Sequence, residues 1–260
     1  MWSFSREVDI MRKSLSRILI LTKRNSKEIL RDPLSLLFTI AMPLVMEILF
    51  YFLFHSATAQ FEMKYFAPGI VVFSQAFLAL FSGILIAQDR SSAFLTRLYV
   101  SRARSYEFIF GYALSLIPLV LVQSVLFILV GGAIDRSIFS VGMVWSLILS
   151  LVTALFYVGA GILLGALCSE KSIGGVASVV IAGQSVLSGM WFPTEGLSKG
   201  FVTLMKCLPF KNATDLVRSG VLGIEDAFRD FWLPLLIVLA YTAAIFVAAI
   251  LAFKKRMRSN

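Results

Sequence analysis

Long apolar runs separated by short polar stretches dominate this chain. Six of them, at 34–54, 66–87, 108–130, 141–168, 173–192 and 231–253, reach or exceed the length of about 20 residues that a helix needs to cross a bilayer. No backbone polar group can stay unpaired in hydrocarbon, so runs of this length predict helices that satisfy their own hydrogen bonds. The expected fold is an all-α integral membrane domain of six transmembrane helices over 34–253. It follows an N-terminal segment (1–33) and precedes a basic tail (254–260). The connections are short apart from one loop at 193–230, which leaves no room for a separate soluble catalytic domain.

The polar stretches carry patterns of their own. Residues 14–32 mix Leu15, Ile18, Leu19, Ile29 and Leu30 with Arg17, Lys23, Arg24 and Lys27, and stop at Asp32-Pro33. They read as an interfacial helix on the cytoplasmic surface or as a plain basic anchor. Within 89–106, Phe94, Leu95, Leu98 and Tyr99 recur at helical spacing beside Arg90, Arg97, Arg102 and Arg104, which predicts an amphipathic helix. Periodicity alone leaves open whether it lies on lipid headgroups or on a protein. In the long loop, Phe201, Leu204, Met205 and Leu208 share one helical face before Pro209, and Asn212 or Thr214 is placed to cap a second short helix towards Gly220. Two short helices are therefore expected to cover the outer face, dipping partly into the membrane. Pro43 and Pro118 fall inside spans one and three and invite kinks, whereas Pro68 and Pro234 sit in the first turns of spans two and six. Gly161 and Gly165 make the GxxxG spacing that admits a neighbouring helix closely.

Composition agrees with the pattern: 58% of residues are hydrophobic and only 15% charged, which excludes an ordinary water-soluble domain. Charge adds orientation. Basic residues crowd before the first span, between spans two and three, and after the last span, so both termini are expected in the cytoplasm. The same bias accounts for the net charge of +9, through orientation and attraction to anionic lipid. The basic residues flank spans and form no groove with aromatic partners, so no nucleic-acid partner is expected. The first thirty residues lack a short apolar core with a small-residue cleavage site, and no cleaved leader is expected. Cys168 and Cys207 fall on opposite sides of the membrane in this topology and should not pair within one chain. His55, the sole histidine, lies at the end of span one, where an interfacial ring is the ordinary role.

Candidate chemistry is sparse. Glu47 lies towards the middle of the first run, where an unpaired ionised carboxylate is expensive. Gln75, Gln123 and Gln184 are also inside runs and offer it hydrogen-bond partners. Two readings of this set stay open: satisfied packing residues, or residues that face a substrate path or dimer interface. No GxxxxGK[ST], HExxH, CxxC or GxSxG occurs. The chain therefore carries no recognisable chemistry or nucleotide site of its own, and it is expected to be no enzyme.

Four segments resemble the membrane subunits of type 2 ABC transporters, the ABC-2 permeases. The basic stretch KRNSKEILRDP at 23–33 is similar to the family's lead into a first span, and DRSSAFLTRLYVS at 89–101 to the cytoplasmic segment between its second and third spans. GILLGALCS at 161–169 looks like the close of the fourth span. SGMWFP at 188–193, LPF at 208–210 and DLVR at 215–218 look like outer re-entrant helices. The resemblance implies a coupling helix within 89–106 that docks on a separate ABC-type ATPase, with Asp89, Arg90, Phe94, Arg97, Leu98 and Arg102 as contact residues. It implies ATP and Mg on that partner and no cofactor in this chain. A second permease copy or a homologous permease, and a prokaryotic plasma membrane, belong to the same expectation. The function expected is a permease subunit of an ABC exporter moving an amphiphilic substrate such as a drug, lipid or hydrophobic peptide. The alternative is a self-sufficient channel or a proton-coupled carrier that uses Glu47.

Overall fold

The computed structural model describes residues 2–92, 104–194, 196–224 and 226–259. Among these residues the secondary structure is helical, without strands. Helix α1 (Trp2–Leu30) precedes α2 (Pro33–Phe54), α3 (Met63–Ser91), α4 (Ser105–Ile134) and α5 (Val141–Leu167). Then come α6 (Glu170–Leu187), the short pair α7 (Lys199–Cys207) and α8 (Pro209–Leu222), and a π-helical turn (Ala227–Trp232) leading into α9 (Leu233–Ser259). The π turn lies just ahead of Pro234, which has no N–H to give the carbonyl four residues back.

Among the described residues, five helical stretches are long and apolar enough to cross a membrane: α2, α3, α4, α5 and Ala227–Lys255. The remaining run, 173–192, forms α6 only as far as Leu187. Glu170 and Lys171 open this 18-residue helix, whose length is ~27 Å at ~1.5 Å per residue. Gly174, Gly175, Gly183, Gln184 and Ser185 dilute its apolar character, and beyond it Gly189 takes a positive φ of 64° that redirects the chain.

Helix α3 is the axis of the molecule. Its apolar segment is 83% buried, against 17% for α2 and for Ala227–Lys255, so α2 and α9 present their apolar faces outward while α3 is enclosed by its neighbours. Small residues make that enclosure possible. A Cβ on Gly161 of α5 would lie 1.8 Å from Ser82 Oγ and 2.4 Å from the Ala79 carbonyl oxygen, and one on Gly165 would lie 2.8 Å from the Gly83 carbonyl oxygen. The GxxxG pair is thus the seam where α5 meets α3. A second backbone contact joins the start of α5 to the end of α8, where a Cβ on Gly142 would lie 2.2 Å from the Gly220 carbonyl oxygen.

Several expectations change in detail. Asp89 and Arg90 belong to the last turns of α3, and Tyr106 to the first turn of α4, because α3 stays helical to Ser91. Ser198 caps α7 through its side chain and Pro209 opens α8. Asn212 and Thr214 lie inside α8 and cap nothing at its start. Pro209 tolerates the first helical position, so α8 begins three residues before Asn212. Asn212 is buried and donates to the carbonyls of Lys206 (2.8 Å) and Leu208 (2.6 Å), which ties the end of α7 to α8.

Candidate functional site

Both flanks of residues 93–103 are tied into one charged network. Asp89 accepts from both arms of the Arg24 guanidinium in α1, including Nη2 to Oδ1 at 2.6 Å, and from Tyr112 Oη of α4 at 2.7 Å. On the other flank, Glu107 accepts from the Arg104 backbone N–H at 3.0 Å and from Arg17 Nη1 at 3.4 Å, while Ser14 and Tyr106 pair through their hydroxyls at 3.1 Å. Helix α1 therefore holds the end of α3 and the start of α4 together. Arg90 reaches the last turn of α5, donating to the carbonyls of Gly165 (3.0 Å), Ala166 (2.5 Å) and Cys168, the acceptors that a helix C-terminus leaves open. Ser91 bonds Glu170 at the start of α6 at 2.9 Å.

Asp89 and Glu107 are buried, so their charges depend on these partners. Burial alone would lower the Arg24 guanidinium, but the hydrogen bonds to Asp89 and its charge outweigh that and hold it above its ordinary value. Of the residues that the resemblance assigns to ATPase contact, Asp89 and Arg90 are thus occupied inside the chain. Phe94, Arg97, Leu98 and Arg102 lie outside the described residues. The signal for this network was a carboxylate at the end of an apolar run together with an arginine in the basic helix before it. The sequence held both but no sign of their pairing across 65 positions.

Glu47, Gln75, Gln123 and Gln184 are all buried within the single chain, and they do not gather. Gln75 donates to the Ser150 carbonyl and accepts from Thr153 Oγ1, both at 2.8 Å, joining α3 to α5. Gln123 donates to the carbonyls of Thr39 and Ser74 at 3.2 Å each, joining α4 to α2 and α3. Gln184 accepts from Tyr157 Oη and donates to Thr214 Oγ1 at 3.1 Å, joining α6 to α5 and α8. None of the three bonds Glu47, contrary to the expectation from sequence. Each amide finds a nearer acceptor or hydroxyl on the helix beside it. Glu47 follows Thr39 and Pro43 on the buried stripe of α2, and both its carboxylate oxygens lack a partner among the described residues. Its Oε1 lies 3.2 Å from where a Cβ on Gly131 would stand. Tyr157 and Thr153, missed from sequence, carry this polar cross-bracing as much as the glutamines do.

Comparison with known proteins decides the family. A family model described as ABC-2 type transporter matches residues 16–222. The chain belongs to the ABC-2 type transporter family. With its apolar helices, this makes it the membrane domain of such a transporter, crossing the bilayer several times. The ABC-2 domain is also similar to ABC transporter G family member 20 of Dictyostelium discoideum, at 24% identity over 204 residues. That match covers 75% of this chain and 27% of the relative, so the chain spans about a quarter of the length of the curated protein it matches.

Proposed function

We propose that this chain is the permease subunit of an ABC exporter, driven by a separate ATPase that docks on residues 93–103. In this reading α6 crosses the membrane as a sixth, shorter span, α1 lies on the cytoplasmic surface, and α7 and α8 are outer re-entrant helices. Both termini are cytoplasmic, in a plasma membrane that is prokaryotic, and the working unit pairs two permease halves. The substrate class is amphiphilic: a drug, lipid or hydrophobic peptide. ATP and Mg belong to the partner.

The observation that carries the reading is the network around 93–103. Asp89, Arg90, Ser91, Tyr106 and Glu107 connect the flanks of that segment to α1, α4, α5 and α6. A push on such a segment is delivered to several helix ends at once, as conversion of ATPase closure into helix movement requires. Helix α1 adds support: Leu15, Leu19 and Ile20 face outward while Ser14 and Asn25 are buried, which suits a helix resting on lipid.

Glu47 favours the alternative, a carrier working from a proton gradient, because its carboxylate has no partner among the described residues. One experiment separates the two. Gentle solubilisation of native membranes through a C-terminal tag should co-purify an ATP-binding subunit at near-equal stoichiometry, and substitution of Arg97 and Leu98 together should release it. A lone chain that still transports down a proton gradient would reject the permease reading.

A further inference from the structure

Pro43 divides α2 into two halves that rest on different parts of the bundle. In the first half, Leu36 and Ile40 pack against the cluster that holds Leu85, Tyr112 and Leu116. In the second, Leu44, Met46, Phe50 and Tyr51 pack against the one that holds Phe66, Ile70 and Phe127. Having no N–H, Pro43 leaves the Thr39 carbonyl four residues back without its helical donor. Gln123 Nε2 of α4 takes that place at 3.2 Å, and it reaches the Ser74 carbonyl of α3 at 3.2 Å as well. A side chain from outside the helix thus satisfies the break in its ladder, as a proline inside a membrane helix requires.

The second half of α2 is loosely held. Among the described residues no hydrogen bond or ion pair joins 44–54 to another helix. What holds it is aromatic packing, with the Phe50 ring centroid 4.6 Å from that of Trp191 and 6.1 Å from that of Phe61. Glu47 works against this packing. It is fully buried, and both its carboxylate oxygens lack a partner among the described residues. It fits only because α4 has no side chain at Gly131, where a Cβ would lie 3.2 Å from Glu47 Oε1 and from Ala67 Cβ, and 3.1 Å from Ile138 Cδ1. Seating this half therefore buries a polar group that gains nothing in exchange, and any movement that brings water to it recovers the cost. Glu47 stands ~10 Å from the Phe54 end of α2 at ~1.5 Å per residue, so a narrow opening from that end is enough.

We propose that residues 44–54 form a flap hinged at Pro43 and latched by Gln123, which swings between this seated position and one in which Glu47 leaves the Gly131 pocket for water. Burial of Phe50 against Trp191 and Phe61 favours the seated position; hydration of Glu47 favours the other. Two states so opposed exchange without a large bias. A swing of ~20°, ordinary for a proline kink, moves the far end of this ~16 Å half by about 5 Å. The first half stays in place, fixed by Asp32 at its N-terminus, whose Oδ1 accepts from the Ser35 N–H at 3.1 Å. The flap goes beyond the transport reading and requires no ATPase, so its test stands or falls separately.

The test measures distances between spin-label pairs in the full chain in nanodiscs, with Cys168→Ser and Cys207→Ser and with excess unlabelled chain so that only pairs within one chain are read. Leu49→Cys with Val144→Cys reports the second half of α2, and Leu37→Cys with Leu167→Cys the first; all four positions are exposed. The expected result is two distances about 5 Å apart for the first pair of labels and a single distance for the other. Glu47→Met removes the cost of seating and Pro43→Ala returns an N–H to the Thr39 carbonyl, so each should lower the ratio of swung to seated about 5-fold. Gln123→Leu removes the latch and should raise it about 5-fold, the weight of an ordinary buried hydrogen bond. If Gln123→Leu fails to fold, the other two variants decide. A single distance for both label pairs, the same displacement in both, or a ratio that neither Glu47→Met nor Pro43→Ala changes overturns the proposal.

Discussion

At Gly161 a single hydrogen atom separates a packed interface from a clash. A methyl there would meet Ser82 Oγ and the Ala79 backbone; the hydroxyl can rotate, but the Ala79 backbone cannot move without shifting α3. Gly161→Ala should lower stability by about 2 kcal/mol or more, read as a fall in Tm of the detergent-solubilised protein. Gly174→Ala is the control: nothing lies within 4 Å of its Cβ position, and removing a helical glycine should leave Tm unchanged or raise it slightly. Equal loss in both variants would reject the α3–α5 seam. Glu47 poses the opposite question, a buried polar group without a hydrogen-bond partner among the described residues. Glu47→Gln keeps shape and removes the option of charge, so if the residue only packs between α2 and α4, Tm and ATP-driven transport should match the parent chain. A change in the pH dependence of transport would instead give Glu47 a working role. The sequence displayed both residues, Gly161 through a spacing and Glu47 through its incongruity. The partners it suggested for Glu47, the glutamines at 75, 123 and 184, bond elsewhere, because pairing depends on which helices come to stand beside α2.

Among elements, α1 matters more than its composition suggests. Leu15, Leu19 and Ile20 point away from the bundle while Ser14, Asn25 and Ile29 are buried, and Arg24 and Arg17 hold the ends of α3 and α4. Asp89→Asn should cost about 3 kcal/mol, since it leaves Arg24 and Tyr112 facing a neutral amide in a largely buried site. The double variant with Arg24→Gln should recover part of that loss in a thermodynamic cycle; strict additivity would mean that the pair is not coupled. The Arg24 value is raised in the folded chain. Its contribution is therefore fully present below the ordinary guanidinium range and is lost only as pH rises beyond it. Across neutral pH the Arg24 side of the pair should add no slope to stability, which thermal unfolding between pH 6 and 9 would check, ~3 units inside the range where guanidinium stays charged. The pairing was not legible in the sequence: amphipathic spacing fixes that a helix forms and which faces differ, but not which face turns inward when both carry useful contacts.

For the whole molecule, the two cysteines report topology. Cys168 ends α5 beside Arg90, Cys207 ends α7, and both thiols are free. If the termini are cytoplasmic, a membrane-impermeant maleimide applied to intact cells should label Cys207 and reach Cys168 only after permeabilisation. Labelling of Cys168 first would invert the arrangement. The helical character, the positions of the long apolar segments, the basic bias and the close approach at Gly161–Gly165 were all set by the sequence alone. Transfer free energy, helical period and residue size act locally and can be read from contiguous residues. The enclosure of α3 and the exposure of α2 and α9 belong to packing. So do the cross-bracing by Gln75, Gln123 and Gln184, the lack of a partner for Glu47 among the described residues, and the Arg24–Asp89 pair. Only the tertiary structure decided these, because each depends on groups brought together from distant positions, and the hydrophobic pattern that builds the helices is indifferent to which polar side chain meets which.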